Sequence, residues 1–336
     1  MGSLQTSYLG IPLANPIIAG SSDLTADVDT IRRIEGAGAG AVVLKSLFEE
    51  QIQLERLRLE EDQESGSELY GEMVSLFPKL RHSGPKEHLM WVKKSKQAVR
   101  IPVIASLNAI EHATWVDYSR QLADEGVDAL ELNLFATPRD FDEAGSRVEK
   151  QQIEDISAVR AAVKIPVSVK LSLFYTNPLS FISQLDRLGV NGLVLFNRFF
   201  QPDIDPVKEE VTLPMNASVQ ADNRVPQRFA GLLYGRISAD VCASTGILNG
   251  ADVARMLLAG ACSVQVVSGL YQSGVQSIRT MLDELSAWMK SKSYDSIDAF
   301  RGKLSAKNIK DSWVYTRAQY AKMLLGPKEF AEPRKG

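Results

Sequence analysis

The chain has 336 residues, of which 45% are hydrophobic and 24% are charged, with a formal net charge of -3. This composition is typical of a globular protein that is long enough for one large barrel domain with insertions. The slight acidity gives no basic surface for nucleic acid or for an anionic membrane, so we expect a small-molecule substrate instead.

Cysteine and histidine usage indicates the compartment and argues against a metal centre. The chain contains two cysteines, Cys242 and Cys262, and three histidines that are scattered along the sequence. Two cysteines are too few for a disulfide framework or a cysteine-rich metal site, which favours a reducing cytoplasm. No apolar stretch approaches the roughly 18 residues of a membrane span. We therefore predict a cytoplasmic protein without a structural metal.

Strand-like and helical runs alternate along the chain. The strand-like runs occupy residues 15–21, 41–46, 101–108, 127–134, 165–172, 191–197, 239–245 and 262–268. Helical patterns end near Gly36 and cover residues 86–99, 113–125, 148–163, 178–188 and 275–290. Strands that alternate with helices form parallel sheets through right-handed crossovers, and eight such units close into a barrel. The pattern predicts an α/β protein with a (β/α)8 TIM barrel.

Two connections in this pattern are too long for simple turns. Residues 47–85 contain an amphipathic, charge-rich run, FEEQIQLERLRLEEDQE, whose charges we interpret as a solvated helix face. Residues 198–226 contain KEEVTL, which indicates a hairpin. Long loops at the carboxyl ends of barrel strands usually build or cover a site. We predict a barrel domain over residues 1–304. A helical extension over residues 305–336 is predicted to pack on the barrel or on the second subunit of a homodimer.

Polar side chains stand at the ends of otherwise apolar strand-like runs. These residues are Lys45, Asn108, Asn133, Lys170 and Asn197. A buried barrel strand should read as nearly continuous Val, Ile and Leu, so polar residues there need a reason. Alternation along the strands directs them to one set of faces, where they can converge in the mouth of the barrel. The competing interpretation of Lys170 is a structural ion pair with Glu131 inside the barrel.

Two glycine-containing turns follow the last two strand-like runs. Gly246 follows Thr245 and precedes a helix that begins after Asn249, and Ser268 with Gly269 precedes the last helix. Small residues let backbone N–H groups approach an anion closely, and a helix N-terminus adds partial positive charge. In barrels these two loops commonly form a phosphate site. A phosphorylated ligand is predicted.

In this order, the motifs resemble those of the dihydroorotate dehydrogenase family. The resemblance rests on the segments NPIIAGS, AVVLKS, ALELNL, IPVSVKLS, STGILNGADVARMLLAGACSVQVVSGL and DSIDAFRGKL. It implies a flavoprotein barrel that binds FMN at its carboxyl-terminal face and passes hydride from a small substrate to flavin N5. We predict that FMN is bound by Gly20, Ser21, Lys45, Ser46, Asn108, Asn133, Lys170, Gly246, Ser268 and Gly269. Asn133 and Asn197 are predicted to bind substrate, and Lys170 to stabilise negative charge at flavin N1 as a catalytic residue.

The chain departs from the family where the substrate reacts. Family members carry a Cys or Ser base soon after the strand-four asparagine, in a pattern like N-L-S-C-P-N. Here residues 133–138 read NLFATP, so Ala136 stands in place of the base and Pro138 in place of a substrate-binding asparagine. A methyl group accepts no proton. Thr137 is the candidate catalytic hydroxyl in this loop, and Tyr175 after the fifth strand offers another.

Two other functions stay open. With Lys170 as the reactive amine, the same fold and phosphate loops suit a Schiff-base aldolase, which needs no flavin. Loss of the base also suits a flavin-binding accessory or electron-transfer subunit that serves an electron-acceptor protein. A visible absorption spectrum distinguishes a flavoprotein from an aldolase, and turnover by the isolated chain distinguishes an enzyme from an accessory subunit.

Overall fold

The structure is a computed structural model, and it describes residues 2–61, 84–135, 140–198, 201–316 and 325. Its strands are β1 (Thr6–Tyr8), β2 (Ile11–Leu13), β3 (Ile17–Ala19), β4 (Ala41–Val43), β5 (Leu47–Phe48), β6 (Val103–Asn108), β7 (Ala129–Asn133), β8 (Val167–Leu171), β9 (Gly192–Leu195), β10 (Asp203–Asp205), β11 (Glu210–Thr212), β12 (Asp240–Ser244) and β13 (Ser263–Val266). Strands β3, β4, β6, β7, β8, β9, β12 and β13 pair in parallel, and β13 returns to β3. This closed sheet confirms the predicted (β/α)8 barrel.

Helices cover the outside of the barrel. They are α1 (Val28–Gly36), α2 (Glu49–Glu61), α3 (Pro85–Ala98), α4 (His112–Asp124), α5 (Gly145–Ala162), α6 (Pro178–Arg187), α7 (Arg224–Leu233), α8 (Gly250–Ala259), α9 (Ser268–Ser273) and α10 (Ser277–Ser291). The predicted helices are present with ends shifted by a few residues, whereas α7 and the short α9 were not predicted. Within the described residues, none of these helices is both long enough and apolar enough to cross a membrane.

The amino-terminal end of the barrel is closed by a hairpin that the sequence did not predict. Strands β1 and β2 pair antiparallel, and the turn side chains Tyr8 and Leu9 are buried against the barrel interior. A Cβ atom at Gly192 would lie 2.4 Å from Leu9 Cδ2, so glycine at this position makes room for the hairpin. Burial of each large apolar side chain contributes about 1.5–3 kcal/mol. This end is therefore a packed floor, which leaves the opposite end for a site.

The two long insertions contain a hairpin and a helix. Strands β10 and β11 form the expected hairpin. The charge-rich run forms the helix α2, and its first turn is buried on one side, where Glu49 and Ile52 are fully buried. The Glu49 carboxylate accepts the N–H of Ile110 at 2.9 Å and the hydroxyl of Thr114 at 3.1 Å. A carboxylate is stabilising at this position, since it lies at the positive start of α4.

The described part of the predicted carboxyl-terminal extension lies against α7. The N–H of Ala306 donates to the carbonyl of Gly231 at 2.9 Å, and the ring of Tyr315 fills the space beside Gly231. Most of the run YTRAQYAKMLL falls outside the described residues. The helical extension and its boundary after residue 304 therefore stay predictions.

Candidate functional site

A cavity of about 260 Å³ opens at the carboxyl ends of the barrel strands. Its wall includes many of the residues predicted for the site, namely Ser21, Lys45, Ser46, Lys170, Asn197, Gly246 and Ser268. They come from both halves of the sequence. The structure brings them together because all strands of a parallel barrel end on the same side. Gly20, Asn133 and Gly269 stand beside these lining residues in sequence or across a strand pair, and Asn108 donates a hydrogen bond to the Asn133 carbonyl.

The three predicted asparagines form a hydrogen-bonded row at this end of the barrel. Asn197 Nδ2 donates to Asn133 Oδ1 at 2.8 Å, and Asn108 Nδ2 donates to the Asn133 carbonyl at 3.0 Å. All three are half-buried, and β7–β8 pairing sets Asn133 beside Lys170. Each primary amide has two donors and an acceptor, so the row keeps polar atoms for a ligand.

Lys170 carries a buried positive charge at the base of the cavity. Its Nζ lies 4.0 Å from Oε1 of Glu131, which is fully buried, and the Gln265 amide nitrogen donates to the other Glu131 oxygen. Burial raises the pKa of the Glu131 carboxyl, while the charge of Lys170 and the Gln265 hydrogen bond act in the opposite direction. The structural ion pair of Lys170 with Glu131, which was the competing interpretation of Lys170 from the sequence, is therefore present. The same ammonium also lines the cavity.

Lys45 lies at the rim of the barrel, where its side chain forms part of the cavity wall. Its Nζ is 2.6 Å from Asp23 Oδ1, and the two side chains are 43% and 72% exposed. Strand β4 ends at Val43, so the pleat no longer sets the direction of Lys45. Ser46 points inward instead, with its Oγ 2.7 Å from that of Ser106.

The two glycine turns lie at the end of the barrel where the cavity opens, and Gly246 is part of the cavity wall. Gly246 has a φ of +71°, and a Cβ there would lie 2.6 Å from the Asn223 nitrogen and 2.8 Å from the Val219 carbonyl oxygen. A Cβ at Gly269 would lie 2.9 Å from the carbonyl oxygen of Ile247. Within the described residues, the N–H groups of Gly246 and Gly269 have no acceptor. Unpaired N–H groups in a narrow turn are suited to an anion.

The start of α8, by contrast, is already occupied by side chains. Asn249 accepts the N–H of Asp252 at 2.9 Å, Asp252 accepts the N–H of Leu248 at 3.1 Å, and Glu284 accepts the N–H of Gly250 at 2.6 Å. The positive end of the helix dipole stabilises the carboxylates of Asp252 and Glu284. The predicted phosphate site therefore depends on the glycine turns more than on this helix.

One wall of the cavity comes from the long connection over residues 198–226, for which a role at the site was predicted without naming its residues. Arg198 donates to the Asn216 carbonyl at 2.8 Å and to Asp222 Oδ2 at 2.7 Å, which fixes the segment that follows β11. The Ser218 N–H in this segment donates to Ser268 Oγ at 2.9 Å, beside the predicted phosphate turn. The length of this connection indicated a role at the site, but the segment has no apolar period that would have identified Arg198.

The structure argues against Tyr175 as the catalytic base. Its ring stacks on Phe181 with 4.2 Å between centroids, and its hydroxyl donates to Gln152 Oε1 at 3.0 Å. Burial raises the pKa of this phenol far above its ordinary value, so it stays protonated. Ala136 and Thr137 lie outside the described residues, and the role of their loop stays a prediction.

The fold and the cavity together define a (β/α)8 barrel whose polar site is built from strand ends and the last two loops. The sequence profile of the family described as Dihydroorotate dehydrogenase matches residues 80–289. The chain therefore belongs to the dihydroorotate dehydrogenase family of oxidoreductases, which confirms the resemblance.

Curated relatives cover most of the chain. The catalytic subunit of dihydroorotate dehydrogenase B (NAD(+)) from Methanocaldococcus jannaschii is 25% identical over 301 residues, or 85% of this chain and 94% of the relative. The protein of the same name from Thermoplasma acidophilum is 26% identical over 310 residues, or 90% of this chain and 99% of the relative. The chloroplastic dihydropyrimidine dehydrogenase (NADP(+)) of Arabidopsis thaliana is 23% identical, covering 89% of this chain and 76% of the relative.

Proposed function

We propose that the chain is an FMN-dependent oxidoreductase that removes a hydride from a CH–CH group of a small substrate. One observation carries the proposal. The turn at Gly246, the hydroxyl of Ser268 and the buried ammonium of Lys170 line the same cavity. The turn and the hydroxyl can donate hydrogen bonds to an anion, and the ammonium is a fixed cation elsewhere in the cavity. A phosphorylated cofactor that accepts electrons requires both kinds of group.

The donor set fits the polar groups of FMN. Gly246 and Gly269 are proposed to donate N–H groups to the phosphate, since neither N–H has an acceptor among the described residues. Ser21 and Ser46 present hydroxyl groups to the cavity for a polyol chain. Lys170 is the proposed partner of the pyrimidine edge. These groups are neutral or cationic, which matches the negative charge of the phosphate and of the reduced ring.

Bound FMN supplies a hydride acceptor at its N5 atom. The proposed role of Lys170 is to stabilise the negative charge that collects at the N1 edge when hydride is accepted. Its ion pair with Glu131 holds the ammonium in place before reaction, so little reorganisation is required. Asn133 and Asn197 are proposed to hold the substrate, because their amides match the carbonyl and N–H groups of a cyclic amide. Relatives named for dihydroorotate and dihydropyrimidine support that substrate class.

Ala136 favours a second candidate function, in which the chain binds flavin and passes electrons to an acceptor protein without oxidising dihydroorotate itself. We propose a cytoplasmic homodimer for either function. The aldolase alternative receives less support. A Schiff base requires a free amine, whereas the Lys170 side chain forms an ion pair with Glu131.

We expect the purified chain to carry non-covalent FMN, because the cavity provides both phosphate donors and a cation. The test is to record the visible spectrum, denature the protein and identify the released chromophore by chromatography. A yellow protein that releases FMN is the expected result. A colourless protein that also fails to take up added FMN would end the flavin proposal. Borohydride trapping of a carbonyl compound on Lys170 would support an aldolase.

A further inference from the structure

Glu131 is a buried carboxylate directly beneath the proposed site. Its relative exposure is 0%, and its Oε1 atom receives no hydrogen bond from the described residues. That atom lies 4.0 Å from the Nζ of Lys170. A carboxylate taken out of water costs several kcal/mol unless a cation and hydrogen bonds compensate for it. The buried charge of Glu131 is therefore compensated by the charge of Lys170.

The groups around Glu131 leave Lys170 as the cation that acts on it. Tyr8 and Cys242 also face this interior, and burial raises the pKa of both, so both stay neutral. On the remaining side, the Gln265 amide donates to Glu131 Oε2. Gln265 also lines the cavity, so the carboxylate is linked to the site through two side chains.

We propose that Glu131 is a positioning residue that acts through Lys170. The carboxylate, oriented by the Gln265 amide, holds the Lys170 ammonium at the base of the cavity and reduces the positive charge that a bound ligand experiences there. The proposal rests on the proposed FMN function in one respect, which is the identity of that ligand. Glu131 would then set both the reactivity of the Lys170 amine and the reduction potential of the flavin.

The first test needs no flavin. In the flavin-free chain, Glu131→Gln removes the charge but keeps the shape, so the neutral amine of Lys170 becomes easier to form. An opposite charge at this distance shifts a pKa by about one unit or more. Acetic anhydride labelling of Lys170 at fixed pH, followed by mass spectrometry, should therefore be roughly tenfold faster in Glu131→Gln. Glu131→Asp, which keeps the charge, should restore slow labelling.

The matched control is Ser168→Ala. Ser168 is fully buried and pairs with Glu131 across β7 and β8, and its hydroxyl donates to the Leu130 carbonyl at 3.1 Å. It should leave the labelling rate unchanged, which separates the loss of charge from general loosening of the barrel. Thermal denaturation of each variant checks that it is folded.

The second test uses the FMN-loaded protein. At about pH 6, where the lysine stays charged, Glu131→Gln should raise the two-electron reduction potential by about 30 mV, which is a tenfold change in equilibrium constant. In a Lys170→Met background the same change should have little effect, because a lone buried carboxylate takes up a proton. Equal shifts in both backgrounds would show that Glu131 does not act through Lys170.

The two tests fail in different ways. If the chain binds no FMN, the proposed function fails, and the labelling experiment still decides whether Glu131 controls Lys170. If FMN binds but Glu131→Gln changes neither the labelling rate nor the potential, Glu131 is a structural residue only and the inference is overturned.

Discussion

Dihydroorotate oxidation by this chain is expected to be at least about 10²-fold slower than oxidation by a family enzyme that carries the loop base, because general-base catalysis contributes roughly 10²–10⁴-fold. Ala136 has no proton acceptor. Tyr175 is committed to a stacked, hydrogen-bonded position, and Lys170 is paired with Glu131. The measurement is steady-state oxidation of dihydroorotate with an artificial electron acceptor.

Two variants at position 136 test whether the absent base causes the low rate. If the absent base is the main defect, Ala136→Cys should raise the rate by about tenfold or more, whereas Ala136→Val, which adds volume without a proton acceptor, should not. Turnover by the unmodified chain at roughly 1 s⁻¹ or faster would show that another group, such as Thr137, supplies the base.

Lys170→Ala is expected to slow flavin reduction by about 10²-fold, since loss of one preorganised electrostatic contact costs about 3 kcal/mol in the transition state. The reduction potential should fall for the same reason. The measurement is anaerobic stopped-flow reduction together with a potential titration. Lys93→Ala is the matched control, because this lysine forms a pair with Glu125 on the outer surface.

The folding cost of Lys170→Ala should depend on pH. Glu131 already has a raised pKa through burial, and loss of the Lys170 charge raises it further. A carboxyl whose pKa is higher in the folded state binds more protons when folded, so the variant should lose stability as pH rises above the ordinary carboxyl pKa of about 4.3. An unchanged potential with a sharply lower melting temperature would mean that Lys170 is only a structural ion-pair member.

The barrel was predictable because its strands fall within apolar runs of the sequence that are separated by helical patterns, and parallel crossovers restrict the topology. The hairpin of β1 and β2 was missed, since two strands of three residues show no period. Helix α7 was missed because Gly231 within it and Gly235 just after it interrupt the helical pattern.

The polar site was predictable where a strand fixes the direction of a side chain, and less so elsewhere. Lys170 and Asn133 lie within strands, so alternation placed them correctly beside each other. Lys45 lies beyond the end of β4 and turns to the rim, where Asp23 pairs with it. The wall held by Arg198 depends on contacts between residues distant in sequence, which no local pattern reveals.

The most direct test of the flavin site is a comparison of FMN with riboflavin, which lacks the phosphate. Titration of the flavin-free chain with each compound, followed by fluorescence quenching, measures both dissociation constants. If the glycine turns at Gly246 and Gly269 hold the phosphate, FMN should bind at least about 10²-fold more tightly, since charge-assisted hydrogen bonds contribute about 1.5–3 kcal/mol each. Equal affinities, or binding of neither compound, would contradict a phosphate-anchored flavin in this barrel.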